Sequence, residues 1–245
     1  MLSDIELLEI ELRTIWAVDA GGRLIARERQ VGVPCAVIAT ARSGWRIAYS
    51  AAVPEQVARE LGAVVSAGPH ASDPAVPPAY IARCRALLAA SLGDIELASG
   101  PSYRLPVDVS FPSAATVWRS DGPHASAITD MRPGDSGWTE DEWRALARGD
   151  LGPWAMAVED GRVVSICHCS RLTAEAAEAG TWTDPSYRGR GYAAATTAAW
   201  AALMAASGRH LFYSTSVDNT SSQRVAGRLA LPLIGWTWQL SRKGA

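Results

Sequence analysis

Lysine is almost absent from this chain. Of its 23 basic residues only Lys243 is a lysine, the rest being arginine, and 25 acidic residues bring the formal net charge to -2. A general nucleic-acid binder concentrates positive charge in a patch or stripe, so nucleic acid is not an expected partner. Cysteine is scarce as well, and Cys35, Cys84, Cys167 and Cys169 lack the spacing of a disulfide or zinc framework. Cys167-His168-Cys169 has the look of a ligand cluster. It lies in a strand-like run, Val163–Ser170, where alternation puts the two thiols on one face and His168 on the other, so no metal is expected. No uncharged apolar run approaches the ~20 residues of a membrane span. The first residues, Met1-Leu-Ser-Asp-Ile-Glu, are acidic and lack the basic-then-apolar order of a secretion signal. No membrane partner and a cytoplasmic location are the expectations. What is present, 48% apolar and 20% charged residues over 245 positions, is ordinary soluble composition, enough for one large domain or two small ones.

Strand-like and helix-like runs alternate, which reads as an α/β (α+β) protein. Ser3 and Glu6 have the spacing of a capping box that opens a first helix. Ile15–Asp19 and Arg23–Ala26 read as strands around Gly21-Gly22, and Cys35–Ala41 and Trp45–Ser50 as strands around Ser43-Gly44. Helices are expected at Glu55–Val65, after Pro54, and at Ala79–Ser91, with the proline-rich loop Gly68–Pro78 between them. Asp94–Ser99 reads as a strand. Gly100-Pro101 and the extended stretch to Pro112 then read as the passage into a second unit, giving lobes 1–104 and 105–245. Thr139 and Glu142 open another capped helix that ends near Gly149. Trp154–Val158 and Arg162–Cys169 flank Asp160-Gly161, a two-residue hairpin signal. Ala179–Thr183, Leu211–Thr215 and Ile234–Leu240 read as strands, with an alanine-rich helix to about Ser207 and another from about Thr220. The tryptophan before Gly21-Gly22 echoes the one before Asp160-Gly161, as a degenerate duplicate of one fold does; unrelated hairpins also share this feature.

Thr181-Trp-Thr-Asp-Pro-Ser-Tyr-Arg-Gly-Arg-Gly-Tyr-Ala-Ala is the informative stretch. A strand stops at Asp184-Pro185, a basic glycine turn follows, and strong helix formers begin. That order aims the unpaired N–H groups and dipole of a helix N-terminus at one point, where they stabilise a phosphate. Gly189 and Gly191 allow close backbone approach, and Arg188 and Arg190 add positive charge. A Walker loop is excluded because Tyr192-Ala193 stands where Lys-Ser/Thr is needed; a Rossmann fingerprint is excluded because only two glycines precede the helix.

The stretch resembles the cofactor loop of the GNAT N-acetyltransferase superfamily, whose signature Arg/Gln-x-x-Gly-x-Gly/Ala is met by Arg188, Gly191 and Ala193. The order downstream fits too, with a helix, the strand Leu211–Thr215, Val217-Asp218-Asn219, Ser222 and Arg228-Leu229-Ala230-Leu231. The resemblance covers roughly Leu105–Leu240. It implies a mixed sheet flanked by helices and splayed at Ala179–Thr183, and acetyl-CoA as co-substrate without a metal. Residues 1–104 are expected to form an additional α/β lobe that covers or shapes the acceptor site. The resemblance further implies that Thr181, Trp182 and Thr183 pair their backbone with the pantetheine arm, and that Gly189, Arg190, Gly191, Tyr192, Ala193 and Ala194 hold the pyrophosphate. Asn219 would bond the pantetheine or the loop, or cap the following helix.

The chemistry so implied is direct attack of a small-molecule or peptide amine on the thioester in a ternary complex. Glu178, just ahead of the cofactor strand, and His168, on the neighbouring strand, are the candidate general bases. The tyrosine that many relatives place on the helix after the asparagine is Ala226 here, which leaves Tyr213, Ser222 or a water to protonate the leaving thiolate. The gap keeps a non-catalytic acyl-CoA-binding module as the alternative. A homodimer is compatible with the sequence but not specified by it. Trp16, Trp45, Trp118, Trp138, Trp143 and Trp154 are available for a pocket or for the core.

Overall fold

A computed structural model describes residues 2–27, 32–68, 73, 75–113, 116–134 and 136–244. The chain divides into two compact units, Met1–Tyr103 with Ser214–Asn219 and Leu233–Ala245, and Arg104–Tyr213 with Thr220–Pro232.

In the first unit, helix α1 (Asp4–Ile15) starts at the expected capping box. The Ser3 N–H and hydroxyl both donate to the Glu6 carboxylate at 2.7 Å, and these bonds hold that carboxyl below its ordinary value. Strands β1 (Ala17–Val18) and β2 (Leu24–Ile25) form a small hairpin of their own. Strands β3 (Ala36–Ala41) and β4 (Gly44–Tyr49) pair antiparallel. The C-terminal strand β11 (Leu233–Arg242) runs antiparallel between β3 and β5 (Ile95–Arg104). Helices α2 (Glu55–Ser66) and α3 (Ala79–Leu92) join these strands in a core that includes Ile38, Leu61, Leu88 and Trp238. Of the expected Gly68–Pro78 loop, residues 69–72 and 74 lie outside the described residues; at Asp73 the side chain accepts from the Ala75 N–H at 2.9 Å.

β5 corrects one expectation, because it runs through Gly100-Pro101 instead of ending before them. Gly100 is there for space: a Cβ on it would lie 1.8 Å from the Thr215 carbonyl oxygen. Pro101 has no N–H to give, but its carbonyl accepts from the Thr215 N–H at 3.2 Å. Two residues that break isolated strands are used here to let another backbone pass closely.

The second unit holds β6 (Thr116–Arg119), β7 (Trp154–Glu159), β8 (Arg162–Leu172), β9 (Ala176–Thr183) and β10 (His210–Ser214). β6 to β9 are successive antiparallel neighbours, and β10 lies parallel to β9. Helix α4 (Glu140–Arg148) begins at the Thr139–Glu142 capping box and ends at Gly149, in the left-handed region at φ 80. Trp143 and Leu146 of α4 pack with Ile128 against Trp154, Met156 and Ile166 of the sheet. Helix α5 (Tyr192–Met204) covers the opposite face and buries Ala194, Ala195, Ala198 and Ala201. Those small side chains let the helix sit close to the strands, and the Trp200 indole N–H donates to the Pro153 carbonyl at 2.9 Å. Helix α6 (Thr220–Arg228) follows β10. Trp16, Trp143 and Trp154 are buried, while Trp45, Trp118 and Trp138 are half-buried and packed against the cores. No helix among the described residues is long and apolar enough to cross a membrane.

Candidate functional site

β9 and β10 pair only briefly. Their parallel register covers His210, Leu211 and Phe212 against Ala176, Ala177 and Glu178. Beyond it, among the described residues, Ala179–Thr183 pair with β8 alone, so the sheet opens where the sequence placed the splay. Alternation sorts the β9 side chains into two sets. Glu178, Gly180 and Trp182 share the α4 face with Ile166 and His168, and Thr181 shares the α5 face with Cys167.

On the α4 face, Glu178 is buried, 5% exposed, and stands opposite Arg171 of β8. His168 meets the Trp138 ring edge-on at 4.9 Å between centroids. Burial pushes the His168 imidazole down to about 4, so the ring is neutral at neutral pH. Gly180 makes room for it, since a Cβ there would stand 2.8 Å from His168 Nε2.

On the α5 face, the Tyr213 hydroxyl and Ser222 Oγ are 2.7 Å apart, and the same hydroxyl donates to the Ser222 carbonyl at 3.3 Å. Burial raises the Tyr213 phenol above its ordinary value, hydrogen bonds from Ser222 and Thr181 pull it down, and the charge of Glu178 adds to the rise. Tyr213 and Ser222 therefore form a hydroxyl pair with Thr181 nearby. Ala226, one helical turn beyond Ser222, is buried. Thr183 is held at its side chain by Ser165, hydroxyl to hydroxyl at 2.7 Å. Asn219 is exposed directly ahead of α6, its N–H donating to the Ser216 carbonyl at 3.1 Å.

The loop is built by local chemistry. The Asp184 carboxylate accepts from the Ser186 N–H at 2.8 Å, which starts a 3₁₀ turn at Pro185–Tyr187. The Arg188 side chain reaches back to the Thr183 carbonyl, 3.3 Å from Nε. Gly189 and Gly191 then take φ 82 and 89, in the left-handed region that side chains resist. Unlike α4, α5 starts with no side-chain cap and no acidic residue in its first turn. The first N–H groups of a helix have no partner within it, so those of Tyr192, Ala193 and Ala194 are left for an external acceptor. Open space lies over Gly189, where a Cβ would meet nothing within 4 Å. Helix N-termini of this kind are general anion-binding sites. Arg190 and Tyr192 turn the other way: the Glu159 carboxylate pairs with Arg190 Nη1 at 3.4 Å and accepts from the Tyr192 hydroxyl.

Arg228 and Phe111 are parts of this site that the sequence did not reveal. Arg228 Nη2 donates to the Gly189 carbonyl at 3.3 Å. The Phe111 ring lies so close to Gly191 that a Cβ there would come within 3.0 Å of it. Nothing in the local sequence around either residue announces the contact. Cys167 and Cys169 face α5, the Cys169 thiol reaches the Pro153 carbonyl at 3.7 Å, and burial raises both thiols, Cys169 to about 11. No group of three His, Cys, Asp or Glu among the described residues could hold a metal ion.

Residues 111–231 match the family model of the acetyltransferase (GNAT) domain, and the chain therefore carries a GNAT acetyltransferase domain. The mixed, opened sheet flanked by helices is the fold of that superfamily. A GCN5-related N-acetyltransferase from Kribbella flavida is similar over 100% of this chain and 98% of its own, at 16% identity and a TM-score of 0.50. GNAT-family proteins from Novosphingobium aromaticivorans and Colwellia psychrerythraea are 25% and 18% identical, with TM-scores of 0.43 and 0.48, over 61% and 66% of this chain. The chain spans 66% and 62% of the length of those two proteins, less than two thirds of each. A search of the curated proteins found no match.

Proposed function

We propose that the chain is an N-acetyltransferase that moves the acetyl group of acetyl-CoA to the amine of a small molecule or peptide. The observation that carries this reading is the conjunction of an uncapped, glycine-led helix N-terminus with a strand edge that opens immediately beside it. The diphosphate lies on the N–H groups from Gly189 to Ala194, and the pantetheine arm extends β9 by pairing with the free edge at Thr181–Thr183. The thioester then reaches the opening beyond Glu178.

The two faces of β9 divide the work. The amine attacks the thioester carbon from the α4 face, where Glu178 takes the proton that the nitrogen loses, directly or through a water. A backbone N–H of the open β9 edge stabilises the oxyanion. The C–S bond breaks and the thiolate leaves toward the α5 face, where the Tyr213–Ser222 pair supplies its proton in place of the tyrosine that Ala226 lacks. His168 is a weak proton acceptor at about 4, because a general base works best with a pKa near the working pH, and it serves as a neutral wall of the acceptor side. The buried, raised thiols of Cys167 and Cys169 are poor nucleophiles, in keeping with direct attack and no acyl-enzyme.

The buried Ala226 favours a second reading, an acyl-CoA-binding module without turnover. Calorimetry with acetyl-CoA, together with thiol release across a panel of primary amines, separates the two. Amine-dependent release supports the enzyme; tight binding with no release for any acceptor supports the module.

A further inference from the structure

We infer that Arg228 is a phosphate-binding residue for the nucleotide end of the acyl donor, an assignment that rests on the donor reading above. The charges the sequence assigned to phosphate, Arg188 and Arg190, are turned to protein partners. Arg190 pairs with Glu159 and stacks over the Tyr187 ring at 4.9 Å, and Arg188 Nε reaches the Thr183 carbonyl. Arg228 comes to the same turn from the last residue of α6 and is exposed. One terminal nitrogen holds the Gly189 carbonyl, and the other lies 3.8 Å from the point a Cβ on Gly191 would occupy. No carboxylate among the described residues pairs with it.

A guanidinium offers five N–H donors in a planar fork that matches phosphate oxygens. Here one donor keeps the Gly189 carbonyl occupied, so that the turn presents N–H groups and not oxygen to the anion. The remaining donors and the full positive charge face the space beside the helix N-terminus. A purely structural role exists for comparison, since a cation in the last turn of α6 also complements that helix's own dipole. A dipole partner would change stability without distinguishing one ligand from another.

The test is calorimetry of the whole chain and of Arg228→Gln and Arg228→Lys against CoA, dephospho-CoA and pantetheine, with melting temperatures recorded alongside. Arg228→Gln is expected to weaken CoA about tenfold to hundredfold, the size of a lost charge-assisted hydrogen bond. Arg228→Lys keeps part of that affinity, and pantetheine, which has no phosphate, binds all three proteins alike. A loss that persists with dephospho-CoA assigns the contact to the diphosphate; a loss that disappears assigns it to the 3′-phosphate. Arg228→Gln binding CoA within twofold of the unaltered chain overturns the assignment, as does an equal loss for pantetheine. An unaltered chain that binds no CoA overturns the donor reading, and the assignment with it.

Discussion

Glu178 and Tyr213 sit near the end of the short β9–β10 pairing, one residue out of step, and so project to opposite faces of the sheet. In the proposed reaction, that offset separates the proton-accepting side from the proton-donating side. If Glu178 is the base, Glu178→Gln keeps size and hydrogen bonding but cannot take a proton. Turnover at neutral pH should fall by ~10²–10⁴-fold and partly recover at high pH, where the amine is already neutral. A pH–rate profile with one good acceptor checks this, and equal profiles for both proteins would reduce Glu178 to a bystander. His168 makes a different prediction. Its folded value of about 4 lies below the ordinary imidazole value of 6.5, so between those pH values the unfolded chain binds a proton that the folded chain refuses. Stability is therefore full above about pH 6.5 and falls as pH drops toward 4, by about 3 kcal/mol from this residue. Urea unfolding of His168→Gln across this window should show a shallower acid slope than the unaltered chain; parallel slopes would contradict the burial argument.

At the scale of elements, what was legible in the sequence was local. The capping boxes at Ser3 and Thr139, the turn at Asp160-Gly161 and the glycine loop before α5 all act within a few residues, and each stands where its pattern put it. The opening of the sheet at Ala179–Thr183 was legible through the family resemblance. β5 was misread at Gly100-Pro101 because the reason for that glycine is Thr215, more than a hundred residues away. Arg228 and Phe111 were invisible for the same reason, since the turn they touch belongs to a distant part of the chain. The loop itself carries a sharp expectation. Gly191→Val forces a β-branched side chain to φ 89 and against the Phe111 ring, a backbone cost of roughly 1–3 kcal/mol. The melting temperature should fall by a few degrees, and calorimetry should show acetyl-CoA affinity reduced by about tenfold or more. A folded Gly191→Val protein with unchanged affinity would place the diphosphate elsewhere.

The whole molecule is not two consecutive pieces of chain. β11 belongs to the first unit, between β3 and β5, and brings the buried side chains of Trp236, Trp238 and Leu240. Each such side chain is worth about 1.5–3 kcal/mol of burial, so together they rival the net stability of a small domain. A fragment of residues 1–104 should therefore be unfolded by circular dichroism and amide exchange, although the sequence marks a passage at that point. A folded, cooperative fragment would show that β11 is dispensable. The central claim, acetyl transfer at the opening of β9, is tested most directly by following thiol and N-acetyl product together. The full chain is incubated with acetyl-CoA and a panel of primary amines. At least one amine should yield thiol and acetylated product in equal amounts, and Glu178→Gln should lower both alike. Acetyl-CoA bound at the loop, with no acetylated amine from any acceptor and thiol release no faster than without protein, would contradict it.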